Sequence, residues 1–250
     1  MVPLWIVALL ALAGFCAGLV DAIGGGGGLV TMPALLAAGI DPAIAIATNK
    51  GQASFGAVSS FVSFWTKGGV DRARAPLGFG CALVGSAIGA RVVLLVRPEP
   101  LKPVILALLI VAAAFVAWPR KPREGKPHAW AMYALGPLAF VFGFYDGFFG
   151  PGVGSMLIVM FVIVFGDTLT RASGNAKVVN LASNLAALAL FAWKGTILWS
   201  ISLPMAAANA LGAWVGARIA LKSGDRLVRV VVLCVVGGVV VKMAAGLLGR

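Results

Sequence analysis

Charge is scarce in this chain. Only 11% of its 250 residues are Asp, Glu, Lys or Arg, and 61% are hydrophobic; a soluble domain is about 25% charged. Mean hydropathy is +1.02. A water-soluble globular protein is excluded, which leaves an integral membrane protein. Histidine is nearly missing: His128 is the single one, and it lies in a basic loop where solvation accounts for it. Cys16, Cys81 and Cys234 stand singly in apolar segments without CxxC pairing. The sequence therefore offers no soft-metal or haem site, and neither metal nor cofactor is expected. The start, "MVPLWIVALLALAGFCAG", lacks the basic n-region of a signal peptide. Bulky Phe15 precedes Cys16, where a lipoprotein site needs a small residue. The phosphate-binding pattern GxxxxGKS/T is missing too, which argues against a built-in ATPase.

What is abundant is apolar length. A spanning helix needs about 20 mostly apolar residues. Such windows run near 3–22, 43–66, 75–96, 101–118, 129–148, 173–193, 197–220 and 227–248, with shorter apolar pieces at about 28–39 and 153–166. The expected fold is an all-α integral membrane protein of about eight long transmembrane helices plus two short broken segments. The net charge of +12 gathers in short loops: "TKGGVDRAR" (66–74), "RKPREGKPH" (120–128) and "LKSGDRLVR" (221–229). Short basic loops write membrane topology; they are not a nucleic-acid signal here. The expected location is the cytoplasmic (inner) membrane, crossed many times.

The chain also repeats itself. "LVGSAIGARVVLL" (83–95) matches "ALGAWVGARIALK" (210–222) at an offset of 127, which also pairs Phe64 with Phe191, Lys67 with Lys194, Gly68 with Gly195 and Lys50 with Lys177. Upstream, an offset of 125 pairs Gly18, Asp21, Gly25 and Gly27 with Gly143, Asp146, Gly150 and Gly152. Two transmembrane repeats, 1–120 and 129–250, are expected on either side of a basic cytoplasmic linker, 121–128. If each short piece re-enters and leaves on one side, the halves are parallel; if each completes a crossing, they are inverted. Loop charge favours inversion, with ten basic residues on the cytoplasmic side against four opposite, where the parallel arrangement gives nine against five.

Duplicated, interrupted hydrophobic segments point to a transporter's binding site. Five consecutive glycines, Gly24–Gly28, precede an apolar piece, and "FFGPGVGSM" does the same in the second half. A membrane segment must satisfy its backbone internally unless it lines a cavity or is buried in protein. A helix starting there presents unpaired N–H groups and a positive dipole end, which suits an anion. The candidate substrate ligands are Gly25, Gly26, Gly27, Gly28, Gly150, Gly152, Gly154 and Ser155. Polar stripes on the following helices add Thr48, Asn49, Lys50, Gln52, Asn175, Lys177, Asn180 and Asn184. The lysines either serve the substrate or snorkel to the interface. Asp21 and Asp146 are candidates for proton coupling, for pairing with those lysines, or for capping the breaks. The spacing Gly85/Gly89 and Gly212/Gly216 reads instead as helix packing. Arg91 and Arg218 read as anchors near segment ends.

"GLVDAIGGGGGLVTMPALLAAGIDPAIAIATNK", followed by "GFYDGFFGPGVGSM" and "SGNAKVVNLASN", resembles the sulfite exporter TauE/SafE family of membrane permeases over essentially the whole chain. The resemblance implies movement of sulfur-containing anions such as sulfite, organosulfonates and sulfoacetate, usually out of the cytoplasm. It places the family's glycine-rich motifs on Gly24–Gly28 and Gly150–Gly154, and its polar helix motifs on Thr48–Lys50 and Asn175–Lys177. The expected function is secondary transport of a small anion by alternating access, with a channel or a permease for another anion as the alternative. The expected partners are the anionic substrate and the lipid bilayer, with no nucleic acid. No enzyme is expected, because no nucleophile–base pair appears. Nothing in the sequence sets an oligomeric state.

Overall fold

The computed structural model describes residues 3–96, most of 103–112, and 130–222. The 121–128 linker and the 227–248 window lie outside the described residues. Every described element is a helix: α1 (Leu4–Gly24), α2 (Gly28–Ala37), α3 (Pro42–Thr66) and α4 (Ala75–Leu95). They are followed by α5 (Pro103–Ala112), α6 (Ala131–Phe148), α7 (Val153–Phe165) and α8 (Leu169–Trp193). Helix α9 covers 199–222. By length and composition, α1, α4 and α8 suffice to cross a membrane. Helix α3 is as long as α8, at 25 residues, but carries more polar side chains, among them buried Thr48, Asn49, Lys50, Gln52 and Ser54.

The stop and start signals come in duplicate. Asp41 caps α3 by accepting from the Ala43 N–H at 3.0 Å, with Pro42 in the first turn. Thr168, its mate at offset 127, caps α8 through the Arg171 N–H at 3.4 Å. Both helices then end before glycines with positive φ, Gly68 and Gly195. A side-chain oxygen on an orphan N–H at the start and a glycine past the end are what helix termini require.

Contacts fix the helix directions. Gly85 abuts Phe140 and Gly89 abuts Phe144, so α4 runs parallel to α6. Gly14 meets Met205 and Gly18 meets Asn209, so α1 runs parallel to α9. Gly51 meets Ser202 and Gly56 meets Asn209, aligning α3 with α9. In contrast, Ser173 bonds to Ile23 and Lys177 to Asp21, which sets α8 against α1. Ser86 on Ser183 and Gly78 on Val179 align α4 with α8. Thus α1, α3 and α9 point one way, and α4, α6 and α8 the other. The glycines at 85, 89, 212 and 216 are packing devices, as their spacing suggests: an added Cβ at any of them would lie 2.1–2.4 Å from a neighbouring backbone oxygen. Each half lends its fourth helix to the first helix of the other.

Candidate functional site

The two glycine breaks meet each other inside the protein. Helix α1 ends at Gly25, whose φ of 73° needs no Cβ and whose Cβ, if present, would stand 2.2 Å from the Ser155 nitrogen. Gly28 lies against Pro151, and the Ser155 hydroxyl donates to the Gly24 carbonyl at 2.8 Å. Helices α2 and α7 therefore start side by side, on one shared cavity.

Most of the residues expected from the sequence come together there. Gly26, Gly27 and Gly28 line the cavity from the first break, and Gly150, Gly152 and Gly154 from the second. Asn49, Lys50 and Gln52 reach it from α3, and Asn180 and Asn184 from α8. Asp21 and Asp146 complete the wall. Five expected residues stand outside it. Gly25 and Ser155 form the seam between the breaks. Thr48 accepts from the Leu198 N–H at 3.2 Å, and its mate Asn175 accepts from the Asp71 N–H at 2.7 Å; both clamp the approach to a following helix. Lys177 is spent on Asp21. Sequence reasoning missed Asn209, which lines the cavity from α9, and Ser183, whose hydroxyl donates to Asp146. Asn209 had left a signal, a lone amide in the apolar window 197–220.

The lysines do not snorkel. Lys50 Nζ sits 2.5 Å from Asp146 Oδ1, with both side chains at most 3% exposed. Lys177 Nζ sits 2.7 Å from Asp21 Oδ2; its side chain is 1% exposed and that of Asp21 24%. Lys177 also donates to the Asp21 carbonyl. Each lysine thus pairs with the carboxylate of the other half, and Asp21 in addition accepts the Gly27 N–H at 3.3 Å. Pairing and capping are both realised. The two pairs cancel, so the cavity carries no net side-chain charge. Its positive character comes from the backbone: among the described residues, the N–H groups of Gly26, Gly28, Gly152 and Gly154 meet no acceptor. Orphan donors of this kind, at the positive ends of two helices, suit a small anion. Among the described residues no cluster of His, Cys, Asp or Glu could hold a metal ion.

A second charged cluster lies at the ends of α3 and α7. Arg74 is hydrogen-bonded to Asp71 and Asp167, both at 2.8 Å, and Arg171 reaches Asp71 at 3.1 Å. Asn175 donates to Asp167 at 2.7 Å. Burial alone would raise the Asp71 carboxyl, but the hydrogen bond and charge of Arg74 outweigh it and hold the group below its ordinary 3.8.

The family model of the sulfite exporter TauE/SafE matches residues 10–243. The chain belongs to the TauE/SafE family. It is 37% identical over 240 residues to the probable membrane transporter protein YfcA of Escherichia coli, covering 94% of this chain and 88% of that one. A probable membrane transporter protein of Haemophilus influenzae is 38% identical over 230 residues, covering 91% and 90%. The probable membrane transporter protein ORF9 of a Sinorhizobium species is 33% identical over 243 residues, covering 96% and 93%. No solved structure matches. A TauE/SafE protein with these relatives is a multi-pass membrane transporter.

Proposed function

We propose that this chain is a secondary carrier that moves a small sulfur-containing anion, such as sulfite, an organosulfonate or sulfoacetate, out across the cytoplasmic membrane. The observation that carries the reading is the convergence of unpaired N–H groups from α2 and α7 on one cavity whose lysines are already neutralised. Backbone donors at helix starts bind oxyanions well without adding a fixed charge that would hold them there. Export is the direction that the family's description suggests.

The carrier works by alternating access of two inverted halves. Supporting this, the repeat mates α1 and α6, α3 and α8, and α4 and α9 run in opposite directions, and the ion pairs Lys50–Asp146 and Lys177–Asp21 are exchanged between halves. If proton movement is coupled, Asp21 is the carrier, because a quarter of its side chain is open while Asp146 is closed.

Flux through proteoliposomes tests the reading. Sulfite or sulfonate efflux should saturate and be accelerated by the same anion on the opposite side. Unsaturable flux without that acceleration would make the protein an anion channel; no flux of any sulfur oxyanion would remove the substrate class.

A further inference from the structure

The cavity has an acceptor as well as donors. Gln52 is 1% exposed and lines the cavity beside Gly28 and Asn49, and its Oε1 is the one buried side-chain polar atom without a partner among the described residues. The orientation of its amide is locked from outside the cavity. The Thr31 hydroxyl lies 2.6 Å from Asn49 Oδ1, a length that fits O–H···O and is short for N–H···O. Asn49 therefore turns its oxygen inward to Thr31, and Gln52 can meet that oxygen only with its Nε2, at 2.9 Å. Rotating the Gln52 amide would set two oxygens against each other. Level with the next turn of α3, Asn209 of α9 adds a second oxygen: its Nδ2 is committed to the Gly14 carbonyl at 3.0 Å, and its Oδ1 lies over Gly56.

Buried polar groups are normally paired, and each exception calls for a reason. Resting on the anion reading above, we infer that the substrate is an anion with a hydrogen-bond donor of its own, a hydroxy- or amino-sulfonate or a singly protonated oxyanion. Gln52 Oε1 reads that donor while the helix N-termini of α2 and α7 hold the oxygens. A bare, donor-free anion leaves the buried Gln52 Oε1 unpaired. A site built to hydrogen-bond a ligand's O–H or N–H strongly rejects the analogue that lacks it.

The test is binding to the purified full-length chain in lipid nanodiscs, by calorimetry, of three anions of one framework: 2-hydroxyethanesulfonate, 2-methoxyethanesulfonate and ethanesulfonate. Sulfite supplies the same contrast through pH, since its singly protonated form carries a hydrogen and its doubly charged form does not. The hydroxy compound should bind at least about tenfold tighter than the other two, the loss of one buried hydrogen bond being of that order. Sulfite affinity should follow the protonated form. In Gln52→Met the three sulfonates should bind with equal affinity. The wild-type comparison stands by itself if that variant does not fold. Equal affinity for the three sulfonates, equal affinity for the hydroxy and methoxy compounds, or discrimination that survives in Gln52→Met would overturn the inference and leave the anion site intact. Failure of all three sulfonates and of sulfite to bind would overturn both.

Discussion

An ammonium group carried into the interior of a membrane protein needs a carboxylate beside it. Lys50 and Lys177 each find theirs on the opposite half of the chain. Removing one partner of a buried pair costs about 3–5 kcal/mol in soluble proteins, because the other charge is left unpaired. Asp146→Asn should therefore lower the unfolding temperature in detergent strongly, and Lys50→Met with Asp146→Leu should recover most of the loss. Asp21→Asn should be milder, since 24% of the Asp21 side chain is open to the cavity; equal losses for both single variants would contradict this asymmetry. The charged residues were legible in the sequence as repeat mates, but their crosswise partners were not, because an offset says nothing about which halves touch. Thr48 and Asn175 misled for a related reason. Each sits on a polar stripe next to the cavity residues, yet its side chain is used on the backbone of a neighbouring turn.

At the level of elements, the two interrupted helices depend on backbone that no side chain can replace. Gly25→Ala meets two obstacles, a φ of 73° and the Ser155 nitrogen 2.2 Å from the new Cβ. Gly39→Ala meets only the first, with a φ of 78° and open space around it. The left-handed conformation alone costs about 1–2 kcal/mol. Gly39→Ala should thus fold with a modestly lowered melting temperature, whereas Gly25→Ala should fail to give a monodisperse protein. Similar behaviour of the two would mean that the contact between the breaks is dispensable. Helix boundaries could be read from sequence because the caps are local chemistry: the expected start at 43 and ends at 66 and 193 lie within one residue of α3 and α8. The start of α8 could not, since "LTRA" precedes the apolar run and is held by Thr168.

At the scale of the described residues, α1 and α6, α3 and α8, and α4 and α9 run oppositely, while the charges near their ends do not repeat. Asp71, Arg74, Asp167 and Arg171 form one ion-pair cluster; at offset 127 their mates are Leu198, Ile201, Ile40 and Ile44, which are apolar. One cluster is thus electrostatic, and its counterparts pack in an apolar one. Arg74→Gln should loosen the charged end. In a chain freed of its native cysteines, a cysteine at Ala53 should then label faster with an impermeant thiol reagent added on the side of the 66–74 loop, and unchanged labelling would show that the cluster does not close the path. Because Asp71 is held below 3.8, its contribution is complete at neutral pH and is lost only as pH falls through that lowered value. Labelling of the Ala53 cysteine without the Arg74 change, divided by the thiolate fraction of a free cysteine at each pH, should accordingly be constant from about pH 5 to 8. The all-helical fold and the glycine breaks were legible in the sequence. The exchange of partners between halves was not, being a property of how the two repeats interlock.

On the reading proposed above, the helix starts at the two breaks, not the lysines, hold the substrate anion. Solid-state NMR on the isotope-labelled protein in lipid, titrated with sulfite and with 2-hydroxyethanesulfonate, tests it most directly. The amide resonances of Gly26, Gly28, Gly152 and Gly154 should shift saturably, with the Lys50 and Lys177 ammonium signals little changed. Stationary glycine amides, with saturable shifts confined to the lysine ammonium groups, would contradict the account.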